Sequence, residues 1–291
     1  MISAAYRLKS VAALMHLLPP TLPGKARLAR RLLGSTVATQ DFALRDVNGC
    51  AYVVPSLSEP IGFHLLIDRI YEPASDQFLR KRLRLGQVFV DIGANIGVFT
   101  VPAARRVGPK GTVLAIEPAP AIADYLRRNV TLNGLANVRV KECAAFNRNV
   151  SALPFYQAPA DHFGMGALAA QFHATPIQVP AHTLDHILAE EGIAQVDLIK
   201  IDVEGFEAAV FQGAAGVLSG ASAPPILFEF CDWAEARVPD GQIGDAQRVL
   251  LDYGYHIHRL ADIIAGNDKP LPGVLVKGFE MLVAIKSKIA L

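Results

Sequence analysis

The sequence predicts an α/β protein. Its core is a doubly wound, mostly parallel sheet, preceded by an N-terminal helical arm and a small hairpin lobe. Three observations predict this. Short unbroken apolar runs recur from residue 87 onward (Val88–Val90, Thr112–Ile116, Val138–Val140, Leu198–Ile201 and Ile226–Phe228), as strands buried on both faces require. Segments with helical periodicity lie between them. A glycine turn, Gly93–Ala–Asn95–Ile–Gly97, closes the first run and an acid, Glu117, closes the second.

The elements follow in order. Residues 1–40 form a basic amphipathic arm: positions 1–34 carry six Lys or Arg and no acid, so the remainder sums to −5 in a chain of net charge +1. Its apolar runs, Val11–Met15 and Leu17–Leu18, are interrupted by His16, Pro19 and Pro20. They are too short for a membrane span, and no small-residue cleavage site of a secretory signal follows. A helix docked on the body is the expectation; an interfacial helix on anionic lipid is the alternative. The chain is accordingly expected in the cytoplasm, with any membrane contact confined to this arm.

Residues 41–85 form a small lobe. Asn48–Gly49 between Phe42–Val47 and Cys50–Val54 signals a hairpin, and 74–85 reads as a helix with Ser75 or Asp76 near its start and Gly86 past its end. From 86 to 291 strands and helices alternate. A helix is expected over 119–133, capped by Asn133–Gly134, and another over 205–218 with Phe206, Val210, Phe211, Ala214 and Leu218 on one face. Pro102 conflicts with a helix starting at the glycine turn and predicts a kink or a late start. Residues 255–260 and 279–285 are two strands expected to close the sheet in antiparallel fashion. The Pro- and Gly-containing stretch 144–182 is an expected substrate lid.

Composition narrows the function. The chain has 291 residues, 52% hydrophobic and 19% charged, enough for a large core and incompatible with general disorder. The 28 Lys and Arg against 27 Asp and Glu exclude a globally basic nucleic-acid binder. Cys50, Cys143 and Cys231 are far apart and odd in number, so they read as small core residues rather than a disulfide framework or a zinc site.

The glycine turn and Glu117 point to a nucleotide-like ligand whose ribose the carboxylate holds. A dinucleotide pattern needs G-x-G-x-x-G, but Asn95 and Val98 stand at its second and third glycine positions. Asp91 puts negative charge at the strand end, which suits a cation rather than a pyrophosphate. S-adenosylmethionine fits, having a ribose, an ammonium, a sulfonium and no phosphate.

Val88–Phe–Val–Asp–Ile–Gly–Ala–Asn–Ile–Gly97, Ile116–Glu117–Pro118, Leu198–Ile–Lys–Ile–Asp–Val–Glu–Gly–Phe–Glu207 and Ile226–Leu–Phe–Glu229 resemble the FkbM-type methyltransferases over roughly residues 70–286. The resemblance implies a seven-stranded class I methyltransferase sheet that uses S-adenosylmethionine. It implies that Gly93, Asn95 and Gly97 line the methionine end with Asp91 behind. Glu117 and Pro118 would then serve the ribose, Cys143 and Ala144 would flank the adenine, and Glu72, in Tyr71–Glu72–Pro73, would close over the cofactor.

For chemistry, Glu204 is the candidate base and Asp202 its orienting partner, at the carboxyl end of the 198–201 strand. His182 is an alternative base. Glu207 reads as a helix N-terminal acid and stays outside the site. Asp202, Glu204 and Glu229 are an alternative oxygen-ligand set for a divalent ion, but no metal is expected. No G-x-S-x-G or G-x-x-x-x-G-K occurs. The expected activity is methyl transfer to a hydroxyl of a small-molecule, sugar, glycan or polyketide-type acceptor. A nicotinamide-dependent oxidoreductase or epimerase and a non-catalytic binding module are the alternatives.

Overall fold

Two helices open the chain, α1 (Ala4–His16) and α2 (Lys25–Leu33). The structure, a computed structural model, describes residues 4–20, 22–34, 41–159, 161–170 and 175–286. Parts of the arm and of the 144–182 stretch, and His173, therefore lie outside the described residues. Helix α1 buries Leu8, Val11, Ala12 and Met15, and α2 buries Ala29 and Leu33. They share one core with the hairpin β1 (Phe42–Arg45) and β2 (Ala51–Val54) and with α3 (Pro60–Ile67). Lys25 is buried there because its ammonium meets Asp68 at 2.6 Å and the Leu18 carbonyl at 2.8 Å. Arg7 Nε donates to Leu32 O at 2.7 Å, tying the start of α1 to the end of α2, so the two helices run antiparallel. The arm is docked.

The hairpin pairs Phe42 with Val54 and Arg45 with Ala51. Of Asn48–Gly49 only Gly49 takes positive φ (77°), and the Asp46 carboxylate accepts from Asn48 N and Cys50 N, so the turn is longer than two residues. Helix α4 (Pro73–Arg82) starts at Pro73 rather than Ser75, since proline at the first helical position lacks only a donor the helix would not use. It stops at Leu83, which is extended and buried, well before Gly86.

The main sheet begins with β3 (Val88–Ile92), followed by α5 (Thr100–Val107), β4 (Thr112–Ile116), α6 (Pro120–Leu132) and β5 (Val138–Lys141). Next come β6 (Ala144–Ala145), β7 (Val150–Phe155), β8 (Ile177–His182) and α7 (Leu184–Glu190). The chain returns through β9 (Leu198–Ile201), α8 (Glu207–Gln212), α9 (Ala215–Ser219), β10 (Ile226–Cys231), α10 (Asp232–Glu235) and α11 (Asp245–Asp252). It ends with β11 (His256–Arg259), α12 (Leu260–Ile264) and β12 (Phe279–Ile285). Seven strands form the sheet in the order β11-β12-β10-β9-β3-β4-β5, and β12 alone runs antiparallel to its neighbours. Along these strands alternate residues enter opposite cores. Phe89, Val113, Leu198, Leu227 and Val283 fill one; Val90, Leu114, Ile199, Phe228 and Leu282 fill the other. That two-sided burial is why the runs are apolar without alternation.

Pro102 is the third residue of α5, which starts late, so the missing N–H falls in the first turn. The face Phe206, Val210, Phe211, Ala214 and Leu218 is buried, but the helix over 205–218 is broken into α8 and α9. The break is at Gly213, where a Cβ would lie 2.0 Å from the Phe146 carbonyl oxygen. Asp185 re-caps α9 through Gly216 N (2.6 Å) and Val217 N (3.0 Å). The stretch 144–182 is more regular than its composition predicts: β6, β8 and β7 make a separate three-stranded sheet. Among the described residues no helix is long and apolar enough to cross a membrane.

Candidate active site

Strands β3, β4, β9 and β10 end at one edge of the sheet. The chain leaves β3 toward β4 and β5 and returns on its other side to β9 and β10, so a crevice opens where the order reverses. A cavity of about 550 Å³ lies there, within the roughly 300–1,000 Å³ of small-molecule sites.

The turn after β3 is built by glycine. Gly93 has φ 73°, and a Cβ on it would stand 1.8 Å from Asp202 O. Gly93 N and Ala94 N both donate to Ile116 O at 3.0 Å, locking the turn to the end of β4. Asn95, at φ 51°, donates its N–H to Glu117 Oε2 at 3.0 Å. The other Glu117 oxygen accepts from Ala119 N at 2.9 Å. Burial pushes the Glu117 carboxyl up to about 7 against those two backbone donors.

At the end of β9, Lys200 is buried with its Nζ 3.2 Å from Asp202 Oδ2 and 3.5 Å from Gly93 O. Burial by itself would lower its pKa, but the carboxylates of Asp202, Asp91 and Glu72 outweigh that and raise it. Glu204 (φ 57°) and Gly205 (φ 99°) bend the chain sharply, and a Cβ on Gly205 would meet Ala234 backbone at 2.6 Å. Asp202, Glu204 and Glu229 thereby bring carboxylate oxygens within 4.8 Å of one another. Burial, then the charges of Asp202 and Glu204, push Glu229 well above the usual carboxyl range, so it keeps its proton to higher pH than its neighbours' charge would suggest for an exposed acid.

The opposite wall comes from the lobe. Glu59 caps α3, accepting from Ile61 N at 2.7 Å, and burial pushes it up to about 7. The turn Phe163–Met165 sits over it: a Cβ on Gly164 would lie 2.8 Å from Glu59 Oε1 and 3.5 Å from Asn95 Nδ2. Trp233 (43% exposed) and Phe279 (59% exposed) also line the cavity.

Of the residues singled out by sequence, Gly93, Asn95, Glu117, Pro118, Ala144, Asp202, Glu204 and Glu229 line this cavity. Asp91 lies behind the turn, fully buried, accepting from Thr100 Oγ1 at 2.6 Å. Gly97 packs against Leu126, to which a Cβ would approach within 2.7 Å. Glu72 caps α4 at φ 41° and accepts from Ser75 Oγ, while its neighbour Tyr71 lines the cavity. Cys143 belongs to the core, its thiol pushed up to about 11 by burial, and Ala145 joins Ala144 in the lining. His182 is on β8, 5.2 Å ring to ring from His186 and outside the lining, because the strand turns it toward α7 and away from the crevice. Glu207, the first residue of α8, accepts from Val203 N at 2.9 Å and closes the β9 turn; burial pushes its carboxyl up to about 8, so it serves the turn rather than meeting the helix dipole as a charge. Glu59, Lys200 and Trp233 line the cavity without having been assigned a role from sequence. The only local signal was Glu59–Pro60, a helix start; their convergence is tertiary.

Among the described residues that line the cavity Lys200 is the only Lys or Arg, and carboxylates already engage it. A pyrophosphate would face acids with no free cation, which disfavours a dinucleotide. A ligand with a ribose and positive charge suits the same wall. S-adenosylmethionine passes this test: Glu117 has lone pairs left for a diol, and the small Ala119, Ala144 and Ala145 leave room for a flat base.

A family model described as the methyltransferase FkbM domain matches residues 91–257. Methyltransferase 1 of Beauveria bassiana is 29% identical over 201 residues, which are 60% of this chain and 73% of that protein. The 31-O-demethyl-FK506 methyltransferase FkbM of Streptomyces tacrolimicus is 29% identical over 210 residues, 60% of this chain and 75% of that protein. The 2-O-methyltransferase NoeI of Sinorhizobium fredii is 27% identical over 183 residues, 57% of this chain and 70% of that protein.

Proposed function

The chain belongs to the FkbM-domain methyltransferase family and is an S-adenosylmethionine-dependent methyltransferase; from that premise we propose that it methylates a hydroxyl of a sugar, glycan or polyketide-type acceptor. The observation that carries the proposal is the carboxylate group Asp202, Glu204 and Glu229 at the strand ends, beside the glycine turn and Glu117. Two relatives named for O-methylation support the hydroxyl acceptor.

Bound S-adenosylmethionine supplies an activated methyl group on a sulfonium. The protein's tasks are alignment, exclusion of water and removal of the acceptor's proton. Glu117 would hold the ribose, Gly93 and Asn95 the methionine end, and Ala144 and Ala145 the adenine. Glu204 is the base that takes the hydroxyl proton. Asp202, steadied by Lys200, orients the acceptor or Glu204, and Glu229 in its protonated form offers a hydrogen bond. The stretch 144–182 acts as the lid through its Phe163–Met165 turn. The exposed rings of Trp233 and Phe279 offer apolar faces for a ring-shaped acceptor.

The test is an acceptor screen that follows S-adenosylhomocysteine release. With a competent acceptor, Glu204→Gln should lower kcat by ~10²–10⁴-fold while cofactor affinity stays near wild type. Trp233→Ala should raise the acceptor KM and leave cofactor affinity unchanged. Turnover should survive EDTA. One observation favours a second reading, since three carboxylates within 4.8 Å also suit a divalent ion. Loss of turnover in EDTA and its recovery with Mg²⁺ would assign these residues to a metal instead.

A further inference from the structure

Helix α1 carries exposed apolar side chains besides its buried stripe. Leu8, Val11, Ala12 and Met15 are spaced to form one stripe, and it is buried. At 100° per residue, Tyr6, Ser10, Ala13 and Leu14 face outward with Arg7 and Lys9 at the margins, and Leu17 follows in the turn after α1. Tyr6 is 63%, Leu14 46% and Leu17 81% exposed. A docked surface helix needs only one apolar stripe, so docking alone does not require the exposed Leu14 and Leu17.

Charge says what covers it. The antiparallel partner α2 turns Arg27 and Arg31 outward, since its buried stripe is Lys25, Ala29 and Leu33. Among the described residues Lys9, Arg27 and Arg31 stand in no ion pair, and residues 1–34 contain no acid. A second copy of the chain would bring the same cations face to face across a two-fold interface, which like-charge repulsion opposes. An anionic bilayer supplies both complements, headgroup charge for the Arg and Lys and an apolar boundary for Tyr6, Leu14 and Leu17.

We propose that the outer face of the α1–α2 hairpin is an interfacial membrane-binding surface for anionic lipid, while its inner face holds the hairpin to the body. The full chain then binds without losing structure, since the groups that meet lipid are those the fold leaves outside.

The experiment is co-sedimentation of the full-length protein with vesicles of phosphatidylcholine alone or mixed with phosphatidylglycerol. Binding is expected only to the mixed vesicles, with release at high salt. Leu17→Glu should weaken it at least tenfold, and Arg27→Gln with Arg31→Gln by roughly fivefold per charge. All of these variants should keep the wild-type melting temperature, because the side chains are exposed. Absence of binding to mixed vesicles overturns the proposal, as does equal binding to both vesicle types. So does a concentration-dependent dimer that Leu17→Glu dissolves, which would make a second copy the occupant.

Discussion

Glu117 concentrates the cofactor reading in one side chain. Each oxygen already takes one backbone donor, from Asn95 or Ala119, leaving outward lone pairs for a diol. Glu117→Ala should lower S-adenosylmethionine affinity at least tenfold, at roughly 1.5–3 kcal/mol for each charge-assisted bond removed. Tight NADH binding by the wild type, or unchanged S-adenosylmethionine affinity in the variant, would sink the assignment. The pH dependence carries a sign. An ionised carboxylate accepts a diol better than a protonated one, and burial pushes Glu117 up to about 7. Affinity should therefore rise with pH as the carboxyl ionises and level off above about 7, a profile that calorimetric titration reads directly.

Among the elements, the arm has a structural role as well as its outer face. Helices α1 and α2 cover Leu57, Phe63, Leu66 and Ile67, burying Met15, Ala29 and Leu33 completely. Removing residues 1–34 uncovers that patch and takes Lys25 from Asp68, which keeps only His64. The truncated protein should aggregate or lose about 5 °C or more of melting temperature, at roughly 2–4 °C per kcal/mol. A truncated protein that melts with the wild type would show that the inner face contributes nothing. A second element, the turn from Asp202 to Phe206, owes its shape to contact: Gly93 and Gly205 are each pressed against backbone that a side chain would strike. The acids there converge through this bend rather than through strand alternation.

Across the whole molecule, burial holds several carboxyls protonated near neutrality. It pushes Glu59, Glu117 and Glu235 up to about 7 and Glu207 up to about 8, from an ordinary value of 4.5. Between those limits the folded state binds more protons than the unfolded one, so stability falls as pH rises. Asp41 and Asp68 are shifted down and act below the ordinary Asp value of 3.8, outside that window, while His258, lowered by burial from 6.5, is one group set against four inside it. Melting temperature should decline from about 4.5 toward about 8, followed by circular dichroism. A flat or rising profile would mean these acids titrate as exposed ones. Saturating S-adenosylmethionine should flatten the decline, since a ligand that favours ionised Glu117 stabilises the high-pH form.

The amino-acid pattern alone marks the sheet, its glycine turn and the acids at its strand ends. Those depend on local chemistry: β-branched runs buried on both faces, a backbone conformation that suits glycine, and a carboxylate closing a strand. It also determined that the arm is cationic and apolar. Long-range packing settles which candidates meet. Cys143 and His182 sit within a few residues of lining positions, yet core packing and strand direction turn them away, while buried Glu72 stands behind the wall close enough for its charge to act on Lys200. Glu59, Lys200 and Trp233 come from three separate segments and converge on one cavity. Where the chain goes between elements is set by long-range packing of the lobe and lid onto the sheet, and no local pattern encodes that distance.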